Sequence, residues 1–166
     1  MGAKMLVSTK GRYGLRMMID IARNQGAQGQ TRVSLREIGN RQGISAKYLE
    51  QLARLLCRDG LLLGSRGQGG GYVLGKDAAD IRIGDILRAT EGSLAPVACI
   101  ARTDTECPRR ETCEVRNFWE GLDHVISDYV DSMTLAEMVA SIETDDVTPG
   151  PCLSNVGERT PAGSEA

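Results

Sequence analysis

A mainly α-helical fold with one small β-hairpin is what this sequence predicts, and three observations carry the prediction. Apolar residues recur at helical spacing along most of the stretch from Ser8 to Ile142. Two short apolar runs, Leu61-Leu62-Leu63 and Tyr72-Val73-Leu74, flank a glycine-rich loop, which is the pattern of a hairpin. A length of 166 residues, 41% of them hydrophobic, suits one compact domain, or a small domain plus a dimerisation element, with a real core.

The elements follow in order. The first helix runs from Ser8 to about Asn24, with Tyr13, Leu15, Met17, Met18, Ile19 and Ile21 as its apolar stripe and Ser8 or Thr9 as its cap. Gly26 and Gly29 break it. Ser34 and Glu37 have the spacing of a capping box, so a short helix starts at Ser34 and stops near Gly43. Ser45 caps a third helix, Ala46 to about Arg58, with Leu49, Leu52, Leu55 and Leu56 on its buried face and Cys57 packed among them. The hairpin comes next, and a short helix from Ile83 to Glu91 ends at Gly92. Residues 93–112 read as loop. From Cys113 to about Asp131 the residues Val115, Phe118, Trp119, Leu122, Val125, Ile126, Tyr129 and Val130 form a long amphipathic helix too apolar on one side to stand alone. Thr134 and Glu137 open a last helix through about Ile142, and from Glu143 the composition predicts an acidic, disordered tail.

Several function classes are excluded at this level. No stretch approaches the ~18 consecutive apolar residues of a membrane span. The first 20 residues carry Lys4, Lys10, Arg12 and Arg16 with no apolar signal core, so secretion is not expected. Five cysteines, an odd and sparse number, predict a reduced, cytoplasmic chain rather than a disulfide scaffold. A single histidine and no nucleophile–base pair at recognisable spacing argue against an enzyme and its small-molecule substrate.

Charge separates the two halves. Residues 1–92 hold 15 Lys+Arg against 8 Asp+Glu, a balance of +7; residues 93–166 hold 5 against 14, a balance of −9. A basic amino half suits a polyanion. Within it, Gly39, Gly43, Leu49 and Leu52 have the spacing of a helix-turn-helix. Gly39 is small where the helices cross, and Gly43 sits where the turn needs a positive φ. The outward face of the second helix carries Ser45, Lys47, Tyr48, Glu50, Gln51 and Arg54, which can reach base edges or phosphates of double-stranded DNA. Any α-hairpin with a glycine turn gives the same pattern; Arg66 at the tip of a hairpin directly behind it makes a wing, and the pair points to DNA. The glycines from Gly67 to Gly71 lack the Lys-Ser/Thr and the helix of a phosphate loop, so they read as a turn.

Cys99, Cys107 and Cys113 are spaced C-x7-C-x5-C. Three thiolates so close can converge on a soft metal or an iron–sulfur cluster, act as redox thiols, or be inert. Arg102, Arg109, Arg110 and Arg116 would favour their thiolate form. His124 lies 11 residues past Cys113, roughly 16 Å along a helix, a poor fellow ligand. Cys152 falls in the tail.

Ser8-Thr-Lys-Gly-Arg-Tyr13, Gln42-Gly-Ile-Ser45, Lys47-Tyr-Leu-Glu-Gln-Leu52 and Arg66-Gly-Gln-Gly-Gly-Gly-Tyr72, with the three-cysteine loop, strongly resemble the IscR-type winged-helix regulators of the Rrf-two superfamily, over residues 5–142. The resemblance implies a homodimeric transcription factor on palindromic DNA, with a 2Fe–2S or 4Fe–4S cluster on Cys99, Cys107 and Cys113. Glu50 and Gln51 would read bases, and Arg66 would enter the minor groove. Target genes would serve iron–sulfur assembly, nitric-oxide response or sulfur metabolism. The chain departs from the pattern in having x7 rather than x5 between its first two cysteines, and Arg116 where the biogenesis regulators place a histidine ligand. A fourth ligand would then come from Glu106, Glu111, Glu114, Cys57, the partner's segment 8–12 or solvent.

The expected organisation is therefore a winged helix-turn-helix DNA-binding domain (1–92), a cluster-binding cysteine loop (93–113), dimerisation helices (114–142) and a tail (143–166). The expected function is a repressor sensing cluster status, redox or nitric oxide. The rivals are a small redox or electron-transfer iron–sulfur protein and a cluster-free, thiol-based regulator of sulfur metabolism.

Overall fold

The structure, a computed structural model, describes residues 7–26, 31–67, 69–101 and 111–144. Helices α1 (Thr9–Asn24), α2 (Leu35–Gln42) and α3 (Ala46–Arg58) precede a hairpin of β1 (Leu62–Ser65) and β2 (Gly71–Leu74). A 3₁₀ turn (Ala78–Asp80), α4 (Ile83–Glu91), a single-turn α5 (Ala98–Ala101), α6 (Arg116–Asp131) and α7 (Leu135–Glu143) follow. This is the mainly helical, winged helix-turn-helix architecture that the sequence predicts.

The caps form where the residues place them. Ser8 Oγ accepts from Lys10 N, Ser45 Oγ from Tyr48 N, and full capping boxes close at Ser34–Glu37 and Thr134–Glu137. Each answers an N–H that the first helical turn leaves without a partner. Gly43 has a φ of 67°, and its N–H donates to Gly39 O at 2.9 Å, so the chain leaves α2 in a left-handed turn. At Gly39 a Cβ would sit 2.7 Å from Ile44 O, so the close crossing of α2 and α3 requires glycine.

One core joins these elements. Met17, Met18 and Ile21 of α1, Ile38 of α2, Leu49, Leu52 and Leu56 of α3, Leu62 of β1, Ile81, Ile86 of α4 and Leu135 of α7 are fully buried. Leu55, expected on the buried face of α3, is half-exposed, and Ala53 is buried instead. The strands pair antiparallel with Leu62 opposite Leu74 and Ser65 opposite Gly71, so Gly64 and Ser65 belong to the strand rather than the loop. Val33 adds an isolated antiparallel bridge to β2, exchanging N–H···O bonds of 2.9 Å with Tyr72. Gln25 Oε1 accepts from Leu74 N at 2.8 Å, which ties the end of α1 to the wing.

Helix α4 lies along α1. Glu91, its last residue, reaches back so that its Oε1 accepts from Ser8 N and Gly11 N, both at 2.8 Å. A carboxylate there suits the positive end of the α1 dipole. Helix α7 returns to the same unit: Leu135 N donates to Ile81 O at 2.8 Å, and Arg23 faces Glu143 at 3.8 Å.

Helix α6 behaves differently. None of its residues is buried. It docks on α4 through Arg88 Nη2 and Asp131 Oδ1, 2.5 Å apart, and through Val130. The helix begins at Arg116 rather than Cys113, and Glu143, assigned by composition to the tail, instead closes α7 with Thr144 behind it. Residues 145–166, including Cys152, lie outside the described residues. Among the described residues no helix is long and apolar enough to cross a membrane.

Candidate nucleic-acid interface

A buried carboxylate fixes the helix-turn-helix. Asp20 on α1 is only 3% exposed. Its oxygens accept from Arg41 Nη2 at 2.6 Å, from Arg41 Nε at 3.1 and 3.2 Å, and from Gln42 Nε2 at 2.9 Å. Arg16, one turn earlier, donates to Gln42 O at 2.7 Å and Gln42 Oε1 at 3.0 Å. Four side chains thus clamp the last turn of α2 onto α1, just before Gly43 redirects the chain into α3. Bonds with a charged partner at these lengths are the stronger sort, and the fork of an arginine fixes orientation as well as distance. The Asp20 carboxylate holds the Arg41 guanidinium above its ordinary range.

Beyond the clamp, α3 presents one polar side. Ser45, Lys47, Glu50, Gln51 and Arg54 are exposed. Glu50 and Arg54 form an i,i+4 pair, Arg54 Nη2 to Glu50 Oε1 at 2.7 Å. Ser45 Oγ already accepts the Tyr48 N–H, which leaves its hydroxyl proton free to donate outward. Tyr48 is half-buried, packed edge-on against Tyr13 with ring centroids 5.8 Å apart, and Arg16 lies over Tyr13 at 5.5 Å. Only its rim faces out with the other residues, because an aromatic ring at that register is taken up by the α1–α3 packing.

The wing flanks this helix. Arg66 follows Ser65, the last paired residue of β1, and is exposed. A groove of about 330 Å³ runs between α3 and the hairpin and is lined by Arg54, Cys57, Leu63, Arg66 and Tyr72 among others. Cys57 packs against the core as expected but is half-buried at this groove, and burial pushes its thiol up. Of the seven side chains the sequence picks out, α3 therefore brings five together with Ser45 at its N-cap, and the wing brings the seventh beside them. The sequence misses Arg16, Asp20, Arg41 and Gln42, which hold that face in place.

The cysteine segment is only partly within the described residues. Cys99 lies on α5 and is exposed, Cys113 precedes α6 and is half-buried, and both are free thiols. Cys107, Arg102, Glu106, Arg109 and Arg110 lie outside the described residues. Glu111 and Glu114 are exposed, and Arg116 donates to Glu120 Oε1 at 2.6 Å. Among the described residues no group of three His, Cys, Asp or Glu converges.

The family model for Rrf2, described as an iron-dependent transcriptional regulator, matches residues 7–141. The chain belongs to the Rrf2 family. The HTH-type transcriptional regulator IscR of Escherichia coli is 37% identical over 144 residues, covering 87% of this chain and 86% of that protein. Among solved structures, T. potens IscR matches with a TM-score of 0.65 at 38% identity, covering 86% of this chain and 92% of its own. CymR (YrzC), the global cysteine regulator of B. subtilis, matches with a TM-score of 0.63 at 35% identity, covering 80% and 95%. As an Rrf2 member the chain is a DNA-binding transcriptional regulator and not an enzyme.

Proposed function

We propose that this chain is a cytoplasmic, homodimeric repressor that reads palindromic double-stranded DNA through α3 and Arg66, under control of Cys99, Cys107 and Cys113. The observation that carries the reading is the single exposed face formed by Lys47, Glu50, Gln51 and Arg54 with Arg66 beside it. Glu50 can accept from cytosine N4 and Gln51 can bond adenine at two points. Ser45, Lys47, the rim of Tyr48 and Arg54 hold phosphates, and Arg66 enters the minor groove or meets its backbone.

Helix α6 supplies the dimer interface within segment 114–142. Phe118, Leu122, Val125 and Tyr129 recur every three or four residues, the spacing of a coiled-coil seam, and Phe118 and Val125 are 65% and 58% exposed. A second copy covers such a face by a two-fold arrangement and sets two recognition helices about one turn of DNA apart.

The thiolate donor set Cys99, Cys107 and Cys113 suits iron, since soft sulfur ligands select it. A 2Fe–2S or 4Fe–4S cluster there would supply a link sensitive to iron and oxidation across segment 93–113. The chain's own part is mechanical. Cys99 sits on α5, which packs on α6, and Cys113 leads into α6, so drawing these thiols together or releasing them biases how α6 leaves the winged unit. A cluster-free, thiol-based regulator is the second reading, favoured by the likeness to Staphylococcus aureus CymR in an oxidized form, with a TM-score of 0.60 at 34% identity.

Titration of a DNA duplex at several salt concentrations tests the DNA face. Arg66→Ala should weaken binding and flatten the slope of log K against log salt by about 0.9 for each phosphate that a chain no longer neutralises. Unchanged affinity and slope would show that the wing does not touch DNA.

A further inference from the structure

The cations among the described residues fall into two groups. Arg23, Arg41, Arg54, Arg58, Arg88 and Arg116 close ion pairs with carboxylates, and Arg16 donates to Gln42. Lys10, Arg12, Arg32, Arg36, Lys47, Arg66, Lys76 and Arg82 are exposed and make no side-chain hydrogen bond or ion pair among the described residues. Of these, Lys10 and Arg36 lie outside α3 and the wing, yet both border α3. Lys10, in the first turn of α1, shares an open groove of about 260 Å³ with Tyr48, Gln51 and Arg54. Arg36, in the first turn of α2, shares another of about 330 Å³ with Asn40, Ser45 and Ala46. The two grooves have no residue in common, so the cations flank the helix in different places.

An α-helix with its side chains is about 10–12 Å across and fills a major groove about 12 Å wide. The sugar–phosphate strands then pass beside the helix, where side chains from neighbouring elements meet them. A cation already bound to a carboxylate has part of its charge and donors engaged; Lys10 and Arg36 have no such partner among the described residues. Resting on the DNA-binding reading above, we infer that Lys10 and Arg36 are further phosphate-binding residues, which seat α3 in the major groove without choosing its sequence.

The test uses full-length protein and two probes, a mixed-sequence duplex and a duplex enriched by the wild type from a random pool. Lys10→Gln and Arg36→Gln should each lower the salt slope by about 0.9 for each phosphate that a chain no longer neutralises, equally on both probes. Lys10→Arg and Arg36→Lys should keep it, and Arg23→Gln, at a cation already paired with Glu143, should leave it alone. A wild-type slope retained by both glutamine variants overturns the inference while leaving the DNA reading intact. A changed preference between the probes overturns the seating role. A wild type whose binding does not respond to salt overturns both.

Discussion

The winged unit and α6 are built from equally periodic sequence but end in opposite states. In α3, Leu49, Leu52, Ala53 and Leu56 are buried against α1, α2 and the wing, whereas α6 buries none of its 16 residues. Val115, Phe118 and Val125 stay more than half exposed. Apolar periodicity shows that a face must be covered; it does not say by which chain. The winged unit covers its faces from within; on the proposed reading, α6 leaves that to a second copy.

Truncating the two faces separates these roles most sharply. Leu52→Ala should cost about 2–5 kcal/mol of folding stability, from reduced burial and the cavity left behind, read as a lower urea midpoint. Phe118→Asp should leave the midpoint of the dilute protein nearly unchanged and move it from dimer to monomer in sedimentation. A large drop in monomer stability for Phe118→Asp would mean that α6 is covered within its own chain.

A middling effect is expected at the clamp. Asp20→Asn keeps the shape but removes the charge that holds Arg41, and should cost roughly 1–3 kcal/mol, since a bond to a charged group disappears beside a partly solvated guanidinium. It should weaken DNA binding further than it weakens folding, because Gln42 directly precedes the turn into α3.

The smallest effects belong to the capping boxes that open α2 and α7. Ser34→Ala should cost about 1 kcal/mol. The Glu37 carboxyl is held below its ordinary 4.5 by the Ser34 hydroxyl and then its backbone N–H, and Glu137 by the Thr134 backbone N–H and then its hydroxyl. A carboxyl lowered in the folded state gives stability that is complete above about 4.5 and drains away as pH falls through the lowered value. Ser34→Ala should therefore remove part of the acid limb of a pH–stability curve and leave its neutral region parallel to the wild type.

The parts of the molecule legible in the sequence are those set by neighbours along the chain. Ser34 with Glu37, Ser45, Gly43, and Thr134 with Glu137 mark helix ends within four residues, and every one of those ends forms. The polar face of α3 is readable for the same reason, because Lys47, Glu50, Gln51 and Arg54 repeat at one helical register. What escapes is non-local. Asp20 reaches Arg41 across 21 residues, Glu91 reaches Ser8 across 83, and Val33 meets Tyr72, with no motif to announce any of these bonds. The register alone turns Tyr48 outward; the ring of Tyr13 on α1 claims most of it.

Control by the three cysteines is the central claim, and iron and acid-labile sulfide per chain test it most directly, measured on anaerobically purified protein together with its DNA affinity. About two of each per chain, or about four for the larger cluster, are expected. Both should vanish in Cys107→Ala, with the fold kept and DNA affinity changed. Full iron and sulfide in Cys107→Ala, or a wild type holding neither and binding DNA identically whether its thiols are reduced or oxidised, would contradict the account.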